Sequence, residues 1–339
     1  MNKYITFNPS QMSINPTDRK TIKHVLSIDT LYRKNYSTTK SSDFTFILPS
    51  PIQKVIAMKI AAIEFPNAWY TFADENQSNI FTITLYNCPT PGDVLETYPA
   101  VIKHVITIPE GNYRSDLFSA AINNIFSNTR NGLEYIYAEV NENDARMYFR
   151  TKNTGDDNRN IYLNSMLSSD FYFTLDFAIA SDPERPLYKN AGWMMGFRQQ
   201  FYTVKYQSLP ISITAKAQYA TRTYNWYLSS ESTYGGNVQN YIYLEIDDFN
   251  RNCVTNTFYC ENSYGTYLGN NIMGRISVSS GMNTIVTNTA SDLLFKTREY
   301  FGPVRLEKLH IRLLNKYGDL VPLNANDFSL MLELDVLYS

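Results

Sequence analysis

The sequence predicts an all-β fold, and three observations carry that prediction. Its 339 residues include 27 Tyr and 19 Phe against 14 Gly and 3 Trp, and aromatic side chains favour pleated, half-buried surfaces where cross-strand pairs form. Apolar and polar residues alternate in many segments, the period of a strand with one covered face. A single stretch repeats its apolar residues at helical spacing, and no strand–helix–strand rhythm of a parallel sheet is visible. With 44% hydrophobic and 18% charged residues, the chain can bury a core.

Residues 1–42 read as an extended basic N-terminal arm. Lys3, Arg19, Lys20, Lys23, Arg33, Lys34 and Lys40 face only Asp18 and Asp29, which suits a solvated leader or a segment laid on a partner. From Asp43, the alternation of Phe44, Phe46 and Leu48 with Thr45 and Ile47 predicts a strand, closed by a turn at Pro49 and Pro51 because proline cannot donate to a ladder. A second strand, Val55 to Phe65, is apolar on both faces and ends at Pro66-Asn67. Phe81, Ile83 and Leu85, then Val101 to Ile108, continue the series. Ser115 is the expected N-cap of the one amphipathic helix, in which Leu117, Phe118, Ala121, Ile122 and Ile125 share a face before Asn131-Gly132 stops it.

Tyr135–Val140 and Arg146–Arg150 flank the turn-forming Asn141-Glu142-Asn143-Asp144 and predict a hairpin. Phe171–Phe177 is a further strand. Residues 178–240, with Pro183, Pro186, Pro210 and Gly235-Gly236, predict a loop-rich insertion with short strands at 204–206 and 211–215. Tyr241–Ile246, Ile272–Val278, Val304–Leu314 and Phe328–Leu337 complete the strands. The expected architecture is a jelly-roll β-sandwich over residues 43–339, carrying one amphipathic helix and the insertion.

Lys+Arg 30 against Asp+Glu 32 gives no overall field to hold nucleic acid. Arg146, Arg150 and Lys152, with Tyr148 and Phe149, could imitate a base-stacking strand, but they fit an ordinary amphipathic hairpin better. No apolar leader and no membrane span is expected. Cys88, Cys253 and Cys260 lack zinc-knuckle spacing; the latter two are read as free thiols, with a local disulfide as the alternative. His24, His104 and His310 are scattered. Phosphate-loop, dinucleotide-turn and nucleophile-elbow motifs are missing. Glu245 and Asp247 share a strand face, beside Asp248, and could hold a hard cation or act as a glycosidase pair; solvated acids at a strand end are the preferred reading. No enzyme activity and no cofactor is expected. Trp193-Met194-Met195-Gly196-Phe197 reads as core, while Tyr219, Tyr224, Tyr227 and Tyr234 offer amphipathic contact area to a partner.

Several segments together resemble the jelly-roll minor capsid and penton proteins of the nucleocytoplasmic large DNA viruses. They are Ser27–Arg33, Ser42–Phe44 with Leu48-Pro49, Ile63–Tyr70, Ile108–Tyr113, Gly192–Arg198, Tyr243–Asn250 and Tyr300–Val304. The resemblance implies a structural virion protein, first a penton assembled as a fivefold ring, with no catalytic residues. Its implied partners are further copies, the major capsid protein and other minor capsid proteins, in a virion built in the host cytoplasm. A minor capsid or cementing protein and a glycan-binding attachment sandwich are the alternatives. The basic residues Arg19, Lys20, Lys23, Arg33 and Lys34 and the four tyrosines are the expected partner-binding groups. Removal of residues 1–30 is expected to leave a folded monomer that does not assemble.

Overall fold

The computed structural model describes residues 20–88, 101–152, 167–215, 220–235, 240–253, 259–262, 265–267, 271–278, 281, 283–289 and 297–338. It divides into two compact units, the first made of Met1–Trp69 with Gln239–Ser339 and the second of Tyr70–Val238. The first begins with β1 (Thr21–Asp29) and β2 (Asp43–Pro66). The second holds β3 (Ile80–Tyr86), β4 (Val101–Thr107), α1 (Ser115–Thr129), β5 (Ile136–Val140), β6 (Arg146–Thr151), β7 (Tyr172–Asp176), α2 (Ala191–Met194), β8 (Phe201–Val204), β9 (Ile211–Ala215), β10 (Ala220–Tyr224) and β11 (Tyr227–Thr233). The first resumes with β12 (Tyr241–Asp247), β13 (Tyr259–Asn262), β14 (Gly265–Tyr267), β15 (Ile272–Ser277), β16 (Ile285–Thr289), β17 (Arg298–Leu314) and β18 (Ser329–Leu337).

In the first unit an antiparallel sheet runs β1-β18-β2-β17-β12-β15, with β16 also on β2. N-terminal strands therefore interleave with C-terminal ones, as jelly-roll wrapping requires. The 24-residue β2 changes partners along its length: its Asp43–Met58 part follows β17, Val55–Glu64 follows β18, and Ala62–Pro66 follows β16. Register shifts against both β17 and β18 leave extra residues, most of them on β2, and such bulges bend a strand. The sheet consequently folds over itself. Phe44, at the start of β2, meets Phe328, just before β18, edge-on at 6.1 Å, and Ile28, Ile60, Leu244, Leu309 and Leu332 join the same core.

Two sequence expectations change here. Pro49 and Pro51 do not end a strand; they lie inside β2. Between Ile47 and Ile52 the register to β17 shifts, and no strand pairs with the other edge of this stretch among the described residues, so a bulge and an open edge accommodate two residues without N–H donors. The described part of the basic segment is also no free arm. Residues 21–29 pair with Leu337–Ser329 of β18 and bury Ile28, so removal of residues 1–30 would take away a strand.

The second unit packs a four-stranded sheet, β4-β3-β7-β8, and a three-stranded sheet, β11-β6-β5, around one core. The insertion expected at 178–240 is part of this unit. Its Phe197, Tyr202 and Trp226 share the core with Phe81, Phe149 and Phe173, and β11 pairs with β6, so its aromatic residues fold with the strands before it. The hairpin β5–β6 forms as predicted, and of the expected core segment Trp193–Phe197, Met194, Met195 and Phe197 are buried while Trp193 is half-buried under the Arg198 guanidinium. α1 covers the open edge of β5: the Asn123 carboxamide donates to the Ala138 carbonyl and accepts its N–H, while Ser119 Oγ accepts from Val140 N. Its N-cap is Arg114, without a side-chain cap, and Ser115 is the first helical residue. At the far end Gly132, at φ +93°, leaves no room for a Cβ, which would lie 2.5 Å from Leu85 and 2.7 Å from the Cys88 sulfur. No helix among the described residues is long and apolar enough to cross a membrane.

Candidate assembly surface

The expected partner-binding groups separate into occupied and available ones. Arg33 is occupied. Its guanidinium is buried against Asp327 at 2.5 Å, donates to the carbonyls of Thr30, Tyr36 and Thr39, and stacks on the Tyr36 ring. Asp327 also accepts from Thr30 Oγ1 and the Tyr36 hydroxyl. Arg33 thus latches the turn after β1 to the start of β18, a job its planar fork suits. Lys23 reaches Glu333, which also holds Lys59 at 3.0 Å. Lys20 and Lys34 are exposed. Arg19 and Tyr219 lie outside the described residues.

Of the tyrosines, Tyr224 is 2% exposed and carries the Arg150 guanidinium 4.1 Å above its ring. Tyr137 flanks the same guanidinium at 4.4 Å and Glu139 pairs with it at 2.9 Å, so Arg150 is a packed cross-strand group and the hairpin is the ordinary one. Tyr234 lies over Phe118 at 4.8 Å and donates to the Tyr113 carbonyl; burial raises its pKa. Tyr224 and Tyr234 are therefore packing residues, a correction to their expected outward role: period-two alternation marks a covered face without saying what covers it. Tyr227 is half-buried.

The acids of the first unit are structural as placed. Glu245 is buried and pairs with Arg312 at 2.6 Å. Asp248 is buried, lies 3.2 Å from Arg298, and accepts from the Tyr300 hydroxyl. Burial, with the Asp248 carboxylate beside it, raises the Tyr300 pKa. Asp247 and Asp248 each accept a backbone N–H two residues on, from Phe249 at 2.8 Å and Asn250 at 3.0 Å. Cys253 is a free thiol, and the Cys260 side chain lies outside the described residues.

Those back-to-back turns expose an aromatic ring. Phe249 has φ +60°, an outlier for a bulky residue, and is 51% exposed. Lys308 lies 4.2 Å over its ring, and Lys308 is the register partner of Ile47 on β2, itself 57% exposed. Phe301 N–H donates to the Asn252 carbonyl, which sets the 76% exposed Phe301 beside the same loop. Next to Ile47, a groove of about 450 Å³ opens between the end of β1 and the start of β2, lined by Ile28, Tyr32, Phe44 and Phe46 among others. Tyr32 is 82% exposed at its rim. Tyr32 and Ile47 thus lie at the groove, Phe249 lies over the lysine paired with Ile47, and Phe301 stands beside the loop that carries Phe249, all four exposed. Sequence reasoning passed over Ile47, Phe249 and Phe301. The available signal was a lone aromatic inside Asp247-Asp248-Phe249-Asn250, where every neighbour is a turn former.

No family model matches the chain, and no curated protein matches its sequence. Among solved structures it is similar to the crystal structure of the mavirus penton protein, at 8% identity and TM-score 0.43 over 94% of this chain and 100% of that one. It is also similar to a chain of the Sputnik virophage structure determined by cryo-electron microscopy, at 12% identity and TM-score 0.39 over 93% and 97%. At these values the functional reading rests on the residues of the chain itself.

Proposed function

We propose that this chain is a structural virion protein, a vertex capsid protein that assembles as a fivefold ring. The observation that supports it is the set of exposed aromatic residues of the first unit. Its exposed Tyr32, Phe249 and Phe301 fall within Ser27–Arg33, Tyr243–Asn250 and Tyr300–Val304, segments whose sequences resemble capsid and penton proteins. A closed shell needs subunits that meet through large non-covalent surfaces, and exposed apolar residues beside a groove supply one. Neighbours in the shell would be further copies of this chain and the major capsid protein. The acids and arginines of the first unit serve the fold in this reading, as Glu245–Arg312 and Asp248–Arg298 do.

Light scattering of the purified protein at several salt concentrations, with electron microscopy of any oligomer, tests the proposal. A ring of five is expected. A monomer under every condition that binds purified major capsid protein would replace the penton reading with the minor capsid one. Truncation to Lys20 is the appropriate arm test, because it leaves β1 on β18.

A further inference from the structure

We propose that Asn131-Gly132 is a self-modifying site, at which the Gly132 nitrogen displaces ammonia from the Asn131 carboxamide with Glu134 as general base. The inference is independent of the assembly reading. It starts from the turn that ends α1, where Arg130, Asn131 and Gly132 have φ of 54°, 51° and 93°. Three successive left-handed residues are more than a helix stop needs, since a single one commonly suffices. The pair is the one Asn-Gly in the chain, and the fold requires its glycine, because a Cβ there would collide with Leu85 and the Cys88 sulfur. The same missing side chain leaves the Gly132 nitrogen unhindered towards the carboxamide before it. Asn131 is exposed, and its carboxamide has no hydrogen-bond partner among the described residues.

Both ends of the peptide that joins the two residues are polarised. The buried Gly132 N–H donates to a Glu134 carboxylate oxygen at 2.8 Å. The Asn131 carbonyl lies 2.9 Å from His104 Nε2, and since a carbonyl only accepts, that nitrogen carries the proton. An acceptor drawing on the N–H and a donor on the C=O together shift the amide towards its imidate form, which makes the nitrogen nucleophilic. Burial strengthens both bonds, and His104 is 8% exposed. In the reaction, the Gly132 nitrogen bonds to Asn131 Cγ as its proton passes to Glu134. Glu134 returns that proton to the carboxamide nitrogen, the Cγ–N bond breaks, and ammonia leaves behind a five-membered succinimide. Water then opens the ring at either carbonyl, giving aspartate or isoaspartate. A cavity of about 260 Å³, lined by Asn128, Glu134 and Lys152 among others, opens beside the carboxylate and gives that water a route.

The test incubates the purified full chain and, separately, a synthetic peptide of residues 128–136, and follows aspartate and isoaspartate at position 131 by peptide-mapping mass spectrometry. The peptide has the same covalent pair without the folded hydrogen bonds. Faster conversion in the folded chain than in the peptide is expected. Glu134→Gln keeps an acceptor but cannot take the proton, and should slow conversion by about a hundredfold. Slower conversion in the folded chain than in the peptide would show that the two hydrogen bonds lock the turn instead, and overturns the proposal. So does a Glu134→Gln chain that converts at the wild-type rate. If that variant does not fold, the wild-type chain compared with the peptide and with itself unfolded in urea decides alone.

Discussion

Among the described residues the second unit buries its phenylalanines except Phe201, whereas the first leaves Phe249 and Phe301 on its surface. Phe72, Phe81, Phe118, Phe149, Phe173, Phe177 and Phe197 form one buried aromatic network in the second, with rings such as Phe177 and Phe197 stacked at 5.2 Å. The core of the first is mostly aliphatic, and Phe249 and Phe301 stand outside it. Their construction differs in the same sense. The second unit is one continuous stretch of chain, whose exposed edge strand β5 is covered by α1. The first is assembled from both ends of the sequence, and among the described residues no strand pairs with the outer edge of β1 or with the second edge of the start of β2, beside a groove. Uncovered edges and exposed rings invite association, and proteins usually blunt them unless they are used. The first unit thus sets exposed rings beside a groove, while the second gathers most of its aromatic residues into one core.

The largest effect expected from breaking this contrast is in the aromatic core. Phe177 contacts Phe81, Phe197 and Tyr202, with Gly192 beneath its ring. Phe177→Ala should cost about 3–5 kcal/mol, read by denaturant unfolding as a shift confined to the second unit; an equal shift of both units would show that they unfold as one. Asp248→Ala in the first unit should cost about 3 kcal/mol, because it strands the buried Arg298. It should also free the Phe249 turn, so loss of association should accompany loss of stability.

A smaller effect depends on pH. Burial, with hydrogen bonds to Asp144 and Glu231, pushes the hydroxyls of Tyr148 and Tyr202 up to about 12. In the unfolded chain they titrate near ~10. The folded state therefore favours the neutral phenols. This contribution is complete below about pH 10 and is lost as pH rises towards about 12. An alkaline titration followed by tyrosinate absorbance should show the second unit loosening over that window, and the double variant Tyr148→Phe, Tyr202→Phe should flatten the dependence. The smallest effect belongs to the exposed Arg305–Glu307 pair at 2.8 Å. Glu307→Ala should change stability by less than about 0.5 kcal/mol, and a larger change in association than in stability would extend the contact surface to that strand.

Local pattern and tertiary pairing contributed differently to what could be read in advance. The β5–β6 hairpin was legible because its strands, turn residues and register are neighbours in sequence, and α1 because its apolar face repeats within fifteen residues. The Pro49–Pro51 segment was misread as a turn, since prolines are excluded from a ladder only where their N–H would be needed. Whether it is needed depends on β17, about 250 residues away, and on an edge left open. Likewise Arg33, Tyr224 and Tyr234 carry the side chains of a contact surface, but Asp327, Arg150 and Phe118 had already taken them. Glu245 and Asp247 had the look of a cation site, but Arg312 pairs with Glu245 and Asp247 accepts the Phe249 N–H.

By itself, then, the sequence determined the all-β class, most strand positions, the helix and the apolar core segment around Met194–Phe197, because periodicity and turn chemistry act over a few residues. Only the tertiary structure decided that the chain ends close the first unit, that 178–240 folds with the strands before it, and that Phe249 rather than Tyr224 faces outward. Each of those outcomes depends on which distant strand covers a given face, and covering is a property of the packed sheets that no single strand encodes.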